Sequence, residues 1–528
     1  MTHADGNRIN ALPEDPAALR ALLLAALAER DNVVAERNAL AEQNERLQHL
    51  LLKLKRLKFG AKSERLPEAQ LQLALGDLET AIAQLEAQGE KRNPERKRDG
   101  IAKRRASRGA LPAHLPRIEV TLAPDDTNCP CCRAVMTEIG HDESQRLDII
   151  PAQYRVLVTR RPKFACRTCD GVVAQAPAPA RLIEGGLPTE TLVANVMVSR
   201  FADHQPLYRQ AQIMARQGVL IDRSTLAFWV GYGAAEIVPV VRRMKDIVLS
   251  SARIFADETK MPVLDPGRGR TKQGYFWAAA RDDRAWGGTE PPAVIYQYAP
   301  GRGTRHADAL LGSYRGIVQC DGYAAYKQLA GVARDGPPVT LAFCWSHVRR
   351  GFYDLAKGGA APIATEAMAR IAALYRIEAG IHGKDPAQRL DARLELSRPL
   401  VDDLRLWFET QIKTLPARGP TAEAVRYALN HWEGLERFLT DGRIEIDNNN
   451  VERSMRPIAL SRKNSLFAGS DEGAENWAAV ASLIETCKLN DINPQTYFTD
   501  LLTRLVNGWP QSCIDELMPW CWKPTATV

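Results

Sequence analysis

The sequence lacks the features of a membrane or secreted protein. It contains no run of about 18 or more uncharged apolar residues, the length that marks a membrane-spanning helix. Its first residues also lack the basic-then-apolar pattern of a secretory signal. Ten cysteines in a chain without such a signal favour metal sites or free thiols over a disulfide framework. We therefore expect a cytoplasmic protein with no membrane contact.

A strong excess of one charge is also missing. The chain has 70 basic and 63 acidic residues and a formal net charge of +7, with ordinary hydrophobic and charged fractions of 45% and 25%. Its 528 residues exceed what one hydrophobic core supports, so we expect several domains of a multidomain α+β or α/β protein. The positive charge is clustered, which points to a nucleic-acid partner.

Residues 17–88 carry a helical repeat that indicates a coiled coil. Asn44 lies at the partly polar companion position and would favour a two-stranded assembly at a cost in stability. The alternative is an amphipathic helix that folds back on the protein; we favour self-association into a homodimer or higher oligomer. A second periodic segment, 71–85, follows a break at Phe59-Gly60. The apolar residues that recur every seven positions in the first segment are Leu19, Ala26, Val33, Leu40, Leu47 and Leu54.

Residues 89–125 are interpreted as a basic linker. The stretch 90–108 contains proline and glycine and almost no apolar side chains, so it cannot bury enough surface to fold alone. Its positive charge would release counterions from a phosphate backbone and give affinity without sequence preference. A solvated tether without a ligand is the alternative. The residues that we expect to contact DNA are Arg96, Lys97, Arg98, Lys103, Arg104 and Arg105.

Two C-x-x-C pairs predict a zinc-binding domain at 126–172. Each pair can present two thiolates to one tetrahedral Zn²⁺, and four sulfurs close a structural site. A redox pair is the competing interpretation of one such motif, but it does not explain two. Cys131 is left as a spare thiol or an alternative ligand, and the segment 154–164 is predicted to be a strand. The predicted ligands are Cys129, Cys132, Cys166 and Cys169.

Residues 184–247 have helical patterns and resemble a helix-turn-helix. One helix is predicted from Pro206 to Arg216, followed by a turn at Gln217-Gly218 and a second helix capped by Asp222 or Ser224. The second helix could enter a major groove. Ordinary helix packing explains the pattern equally well.

Two apolar runs end in carboxylates. The run 253–260 contains Asp257, and the run 316–323 contains Asp321, with strand-like segments 274–280 and 293–298 and a helix at 306–311 between them. This is the order of a ribonuclease-H-like fold, in which the two acids lie on neighbouring strands. Glu258 would point to the opposite face of the sheet. Adjacent carboxylates repel and raise each other's pKa unless a cation neutralises them, and Mg²⁺ or Mn²⁺ is the natural choice.

A third carboxylate is predicted downstream. Glu452 lies where a helix would begin after an Asn-rich turn, with Arg453 and Arg456 near enough to meet phosphates. Asp447 is the rival carboxylate, although its place in the turn suits a cap better. A helical insertion is predicted at about 362–440 within a catalytic domain at 250–475, and a C-terminal helical domain at 477–516.

Several motifs of this chain resemble the insertion sequence 66 family of bacterial transposases. The three acidic motifs are Ala256-Asp-Glu-Thr259, Cys320-Asp-Gly-Tyr323 and Asp447-Asn-Asn-Asn-Val-Glu-Arg453. The likeness extends to Phe59-Gly-Ala-Lys-Ser-Glu-Arg65, the cysteine pairs and the C-terminal helical segment, so it covers most of the chain.

The resemblance implies a DDE-type transposase. Asp257, Asp321 and Glu452 would bind two metal ions that cut the element ends and join the 3′-hydroxyls to target DNA. Cys344-Trp-Ser-His347 resembles a Cys-x-x-His signature of several DDE families, so His347 is expected near the scissile phosphate. Accessory proteins of the same element are further expected partners. A metal-dependent nuclease without strand transfer and a non-catalytic zinc-containing DNA-binding regulator are the alternatives.

The zinc site yields a direct prediction. The protein prepared without chelator should contain about one zinc per chain by elemental analysis, because four thiolates close one tetrahedral site. Cys129→Ser combined with Cys166→Ser should lose that zinc, whereas Cys521→Ser, outside the two pairs, should keep it. A zinc content near zero in the unaltered protein would reject the four-thiolate site.

Overall fold

The computed structural model divides the chain into two compact units, Met1–Ala152 and Gln153–Val528, which are treated separately below. The residues that the structure describes are 15–59, 93–107, 131, 153–165, 173–265, 270–331, 338–357, 359 and 361–523. The predicted zinc ligands and the second periodic segment lie outside these ranges. Of the cysteine-rich motifs only Cys131 is described, and it is exposed.

Two helices lie within the described residues of the first unit. Helix α1, Pro16–Phe59, covers the predicted repeat in 44 residues. Leu23 and Val33 expose 61% and 59% of their surface, so part of the apolar seam faces solvent on the single chain. The coiled coil stays a prediction.

Helix α2, Pro94–Ser107, lies within the basic linker, where composition indicated no helix. The helix begins at Pro94, whose ring fixes φ near the helical value. The Asn93 side chain accepts a hydrogen bond of 2.8 Å from the Glu95 N–H. Lys97 and Arg98 are exposed. The basic segment is therefore partly helical.

The strand predicted at 154–164 is largely wrong. Residues 153–162 have no regular secondary structure, and Val156 and Leu157 expose 86% and 72% of their surface. Within the described part of this segment, only β1, Lys163–Ala165, is a strand. It pairs antiparallel with β2, Val173–Gln175. Alternation of side chains without a neighbouring backbone does not make a strand.

Three helices follow as predicted in type. They are α3, Glu190–Phe201; α4, Leu207–Arg216; and α5, Arg223–Leu249. The turn between the last two contains Gly218 with φ +80°, and Asp222 occupies the N-cap position. By length and composition α5 could cross a membrane, but the apolar residues of one face recur at helical spacing and are buried in the core. Core packing explains that face, while Phe228 and Tyr232 expose 50% and 46% of their surface.

A five-stranded sheet lies at the centre of the second unit, and the strand and helix segments predicted between 253 and 323 are all present. The elements are β3, Arg253–Asp265; β4, Arg270–Arg281; β5, Ala293–Ala299; α6, Thr304–Leu311; β6, Ile317–Cys320; α7, Ala324–Gly331; β7, Thr340–Phe343; and α8, Trp345–Ala356. The strands lie side by side in the order β5-β4-β3-β6-β7, in which β3 to β5 pair antiparallel and β6 and β7 continue from β3 in parallel.

Helices cover the sheet and protect its edge. After α14, Asn449–Ser465, come α15, Asp471–Leu489, and α16, Pro494–Val506. Strand β5 lies at the edge, and its free amides donate to hydroxyls of α15: Val294 N–H to Thr486 Oγ1 at 3.1 Å and Tyr296 N–H to Ser482 Oγ at 2.8 Å. These bonds satisfy backbone groups that would otherwise offer a pairing edge.

A second apolar core lies in the predicted insertion. Stacked rings of Phe352 and Phe408, with centroids 5.4 Å apart, join α8 to the insertion helices. These are α9, Pro362–Ile381; α10, Pro386–Ala392; a π-helical turn, Arg393–Ser397; α11, Arg398–Thr414; α12, Pro420–Asn430; and α13, Trp432–Leu435.

A buried ion cluster crosses this insertion. The guanidinium of Arg393 donates to both oxygens of Glu378 at 2.7 Å. Arg389 donates to Glu378 at 3.4 Å and to Glu445 at 2.8 Å. Both arginines are fully buried. Removing Glu378 would leave Arg393 without its carboxylate partner, whereas Arg389 would keep Glu445.

Glu378→Ala should destabilise the protein by about 3–5 kcal/mol, because it breaks a buried ion cluster from one side. Urea unfolding followed by tryptophan fluorescence measures the change. Asp403→Ala is the matched control: its carboxylate pairs with Arg370 at the surface and is 68% exposed. The control should lose less than about 1 kcal/mol, and an equally small loss in Glu378→Ala would contradict the role assigned to the cluster.

Candidate active site

The sheet brings Asp257 and Asp321 to neighbouring positions. In the parallel pairing of β3 with β6, Phe255 lies beside Gln319, so each aspartate follows two residues later on its own chain segment. Asp257 is still within β3, opposite Ala278 of β4. Asp321 is the first residue after β6, and its Oδ1 accepts the Tyr323 N–H at 2.8 Å. The prediction that the two acids lie side by side is supported by this register.

The turn after Asp321 requires glycine. Gly322 has φ +84°, and a Cβ there would lie 2.6 Å from a ring carbon of His431. Both the backbone conformation and the close ring exclude a larger residue. The turn therefore holds the Asp321 carboxylate at the end of β6.

The surroundings of Asp257 disfavour the charged form of its carboxyl group. Burial raises the pKa of its carboxyl well above the ordinary value, and the negative charges of Glu258, Asp321 and Glu452 raise it further. A carboxylate in this position gains from any cation that neutralises its neighbours. The charge of Glu452 makes the weakest of these contributions to Asp257.

Glu258 is buried beside them, but other residues occupy its carboxylate. Its side chain is 1% exposed and pairs with Arg302 at 2.6 Å. The Tyr326 hydroxyl donates to its second oxygen at 2.7 Å. Burial and the charge of Asp321 raise the pKa of Glu258. These partners keep Glu258 out of the ligand set, in agreement with its predicted position.

Glu452 is positioned by the segment that precedes α14. Trp345 N–H donates to Ile446 O at 3.1 Å. Asn448 then donates its backbone N–H to Cys344 Sγ and its side-chain amide to Ala256 O, both at 3.2 Å. Ala256 immediately precedes Asp257 in β3. The first turn of α14, which carries Glu452, is thus tied to the backbone that holds Asp257.

Asp447, the rival carboxylate, serves the turn. It accepts hydrogen bonds from the Asn449 backbone N–H at 3.0 Å, the Asn449 side chain at 2.6 Å and the Ser346 hydroxyl at 3.3 Å. Oxygens that are already satisfied in this way are poor candidates for a metal ligand. Glu452 is the better candidate.

His347 lies against Glu452. Its Nδ1 is 3.7 Å from Glu452 Oε1, and the potential ligand atoms of Cys344, His347 and Glu452 lie within 4.8 Å of one another. Both Nδ1 and Oε1 are buried without a hydrogen-bond partner. Orphaned polar atoms next to coupled carboxylates fit a divalent cation.

Cys344 is a weak candidate for a metal ligand. Burial raises the pKa of its thiol to about 12, and its sulfur already accepts the Asn448 N–H at 3.2 Å. Metals bind the thiolate form, which burial disfavours. Among the described residues, the candidate ligands that remain are carboxylate oxygens, which suit Mg²⁺ or Mn²⁺.

Basic residues border the acids. Arg350 Nη2 lies 3.4 Å from Glu452 Oε2 and is 59% exposed. Arg453 and Arg456 are exposed on α14. An acidic centre with arginines at its rim can hold a cation and a phosphodiester together.

Sequence reasoning missed the residues that position the acids. Gln319 exchanges hydrogen bonds of 2.9 Å with the backbone of Glu445, and Asn448 and Arg302 act as described above. Asn448 lies in the Asn-rich run, a signal that could have indicated a special turn. Arg302 gave no local signal, because its partner is 44 residues away.

The raised pKa of Asp257 predicts how stability changes with pH. The folded protein binds this proton more tightly than the unfolded chain, so stability falls as pH rises through the folded-state pKa. Without magnesium, Asp257→Asn should therefore raise Tm near pH 8, and the gain should shrink toward pH of about 4, the ordinary range of a carboxyl. Added magnesium should raise Tm in the wild type only. An unchanged Tm near pH 8 would contradict the assigned charge crowding, and Asp403→Asn is the control.

Four parts of the chain match known family sequences. Residues 185–476 match the Transposase IS66 family, and residues 482–520 match the IS66 C-terminal element. Residues 126–170 match the zinc-finger binding domain of transposase IS66, which supports the predicted zinc. Residues 46–120 match Transposase C of IS166 homeodomain, which implies DNA binding.

Proteins of Sinorhizobium fredii (strain NBRC 101917 / NGR234) are similar along most of the chain. Uncharacterized protein y4qI is 44% identical over 542 residues, which cover 98% of each chain. Uncharacterized protein y4jD is 42% identical over 480 residues, which cover 89% of this chain and 93% of the relative. The four matched parts follow one another along the chain: the N-terminal part, the zinc finger, the transposase region 185–476 and the C-terminal element. The chain therefore belongs to the IS66 family of transposases.

Proposed function

We propose that this chain is a DDE-type transposase that cuts DNA at the ends of an insertion sequence and joins the 3′-hydroxyl ends to target DNA. The observation that carries the proposal is the pairing of β3 with β6, from which Asp257 and Asp321 follow in matching register. Burial raises the pKa of Asp257, and the charges of Glu258, Asp321 and Glu452 raise it further. Membership of the family implies transposition.

The proposed catalytic domain has a ribonuclease-H-like fold. Three antiparallel strands followed by two parallel strands, in the order β5-β4-β3-β6-β7, support this assignment. The first acid lies on the central strand, the second follows the adjacent parallel strand, and the third begins a helix. This is the arrangement that the order of the sequence motifs predicted.

In this proposal Asp257, Asp321 and Glu452 hold Mg²⁺ or Mn²⁺, which supplies Lewis-acid stabilisation of the charge that develops on the phosphoryl oxygens. Arg302 and the Tyr326 hydroxyl hold the Glu258 oxygens, so Glu258 adds negative charge beside Asp257 without being available as a ligand. Asn448 keeps Glu452 in line with β3.

His347 and Arg350 act on the phosphodiester. His347 Nδ1 is placed to donate a proton to an oxygen held beside Glu452. Arg350 pairs with Glu452 when no cation is bound, and is free to donate to a phosphate once the carboxylate serves as a ligand.

Other parts of the chain hold the DNA and the partner subunit. Arg453 and Arg456 extend along the exposed face of α14, and the basic segment around α2 supplies contacts without sequence preference. The zinc finger and α4–α5 are proposed to contact element ends. The exposed leucines of α1 support a coiled-coil homodimer, acting on the bacterial nucleoid with accessory proteins of the element.

Substitution of each acid tests the proposal. In a cleavage and strand-transfer assay with magnesium and linear DNA carrying the element ends, Asp257→Asn, Asp321→Asn and Glu452→Gln should each reduce product by roughly 10³-fold or more. A metal ligand contributes several kcal/mol, and each 1.4 kcal/mol is about tenfold. Asp447→Asn is the matched control, because asparagine can still accept the Asn449 N–H.

The outcomes separate the candidate activities. Cleavage without joining would identify a nuclease, and binding without cleavage would identify a regulator. Wild-type activity in Asp257→Asn or Asp321→Asn would refute the site. Loss of activity in Asp447→Asn together with full activity in Glu452→Gln would transfer the third ligand to Asp447.

A further inference from the structure

Helix α14 ends in a strained turn. The Phe467 N–H donates to Ser465 O at 2.7 Å, which closes a three-residue γ-turn around Leu466. Leu466 has φ +63° and ψ −49°, a strained conformation that non-glycine residues rarely adopt. A leucine at this position therefore needs an explanation beyond local folding.

The neighbouring contacts hold the turn rigidly against β3. Leu466 N–H donates to Arg462 O at 2.8 Å, and the Arg462 guanidinium donates to Lys260 O. On the other side, Ala468 N–H donates to Pro262 O at 2.9 Å, and its carbonyl accepts the Leu264 N–H at 2.8 Å. The turn is thus fixed from both ends to the strand that carries Asp257.

The fold gains little from the leucine side chain itself. It is 66% exposed, and Leu264 and Leu460 nearby along β3 and α14 are each 37% exposed. Lys463 and Asn464, which precede the turn, are also exposed. Proteins that kink DNA insert an apolar side chain between stacked bases. A fixed turn that exposes a leucine next to a cation has the features that such an insertion needs.

The turn lies along the path expected for bound DNA. Glu452 and Leu466 are 14 residues apart on the same helix, about 20 Å at 1.5 Å per residue. Arg453, Arg456 and Lys463 are exposed on the helix between them. A duplex that follows these cations from the acidic centre reaches Leu466 after about six base pairs at 3.4 Å each.

We propose that Leu466 is an apolar wedge that inserts between stacked bases of the duplex bound along α14, about six base pairs from the scissile phosphate. The proposal rests on the proposed function, since it places the scissile phosphate at Asp257, Asp321 and Glu452. Charge favours DNA over a protein partner: the exposed cations on α14 flank the leucine, and Asp471, the first acid after it, is paired with Lys272.

The test uses 2-aminopurine, whose fluorescence rises when the base is unstacked, at successive positions in a linear duplex carrying the element end. Wild-type protein without added magnesium should raise the fluorescence at one step about six base pairs from the cut. Leu466→Ala and Leu466→Gly should abolish the rise in fluorescence. They should also weaken DNA binding roughly tenfold, because the leucine side chain would no longer be buried between bases in the complex. Leu466→Met, which keeps an apolar side chain of similar length, should restore both.

Two controls separate the wedge from a folding effect. Glycine tolerates a positive φ, so Leu466→Gly should keep or raise Tm while it removes the side chain. Leu406→Ala removes a leucine of matched exposure, 64%, from α11 and should leave the fluorescence unchanged.

An undiminished fluorescence rise in Leu466→Ala and Leu466→Gly would overturn the proposal. A change in sedimentation in those variants without a change in fluorescence would also overturn it, and would identify an interface between two copies of the chain. Wild-type cleavage without unstacking would refute the wedge alone. Unstacking that depends on Leu466 without metal-dependent cleavage would refute the proposed function and leave the wedge standing. A wild-type protein that neither binds nor cleaves this DNA would refute both.

Discussion

Crowding of negative charge around Asp257 on β3 and Asp321 after β6 is the constraint on which the rest of the second unit depends. Burial and the nearby charges of Glu258, Asp321 and Glu452 disfavour the ionised form of Asp257. The backbone of Asp257 is held by pairing with β4, and β6 pairs with β3 two residues earlier. Arg302 and Tyr326 hold the Glu258 carboxylate, so the other three carboxylates are the ones proposed to meet a cation.

The insertion delivers the third acid. Between Asp321 and Glu452 lie 130 residues. After leaving the second core, the chain must return to the sheet before α14 begins. The ion cluster around Glu378 reaches Glu445, and Gln319 of β6 bonds to the backbone of the same residue. The insertion therefore supports the segment that starts α14.

The elements around the site could be predicted where local chemistry is decisive. Strands β3 to β5 are apolar and β-branched or aromatic, and α1 has a seven-residue repeat, so periodicity alone indicates them. The segment 154–162 alternates as well, but no described strand pairs with it, and it is not a strand. The helix at Pro94–Ser107 depends on its proline and Asn93 cap, which composition alone did not weigh.

The sequence by itself determined the acids, the cysteine pairs and the order of elements, because each is encoded in residue type and short-range spacing. Only the tertiary structure favours Glu452 over Asp447, sets the Cys344 sulfur against the Asn448 N–H and puts His347 beside Glu452. These contacts join residues far apart in the chain: Asn448 is 104 residues from Cys344 and 192 residues from Ala256. Contacts of that range form only when the sheet and the insertion pack together, so no local pattern encodes them.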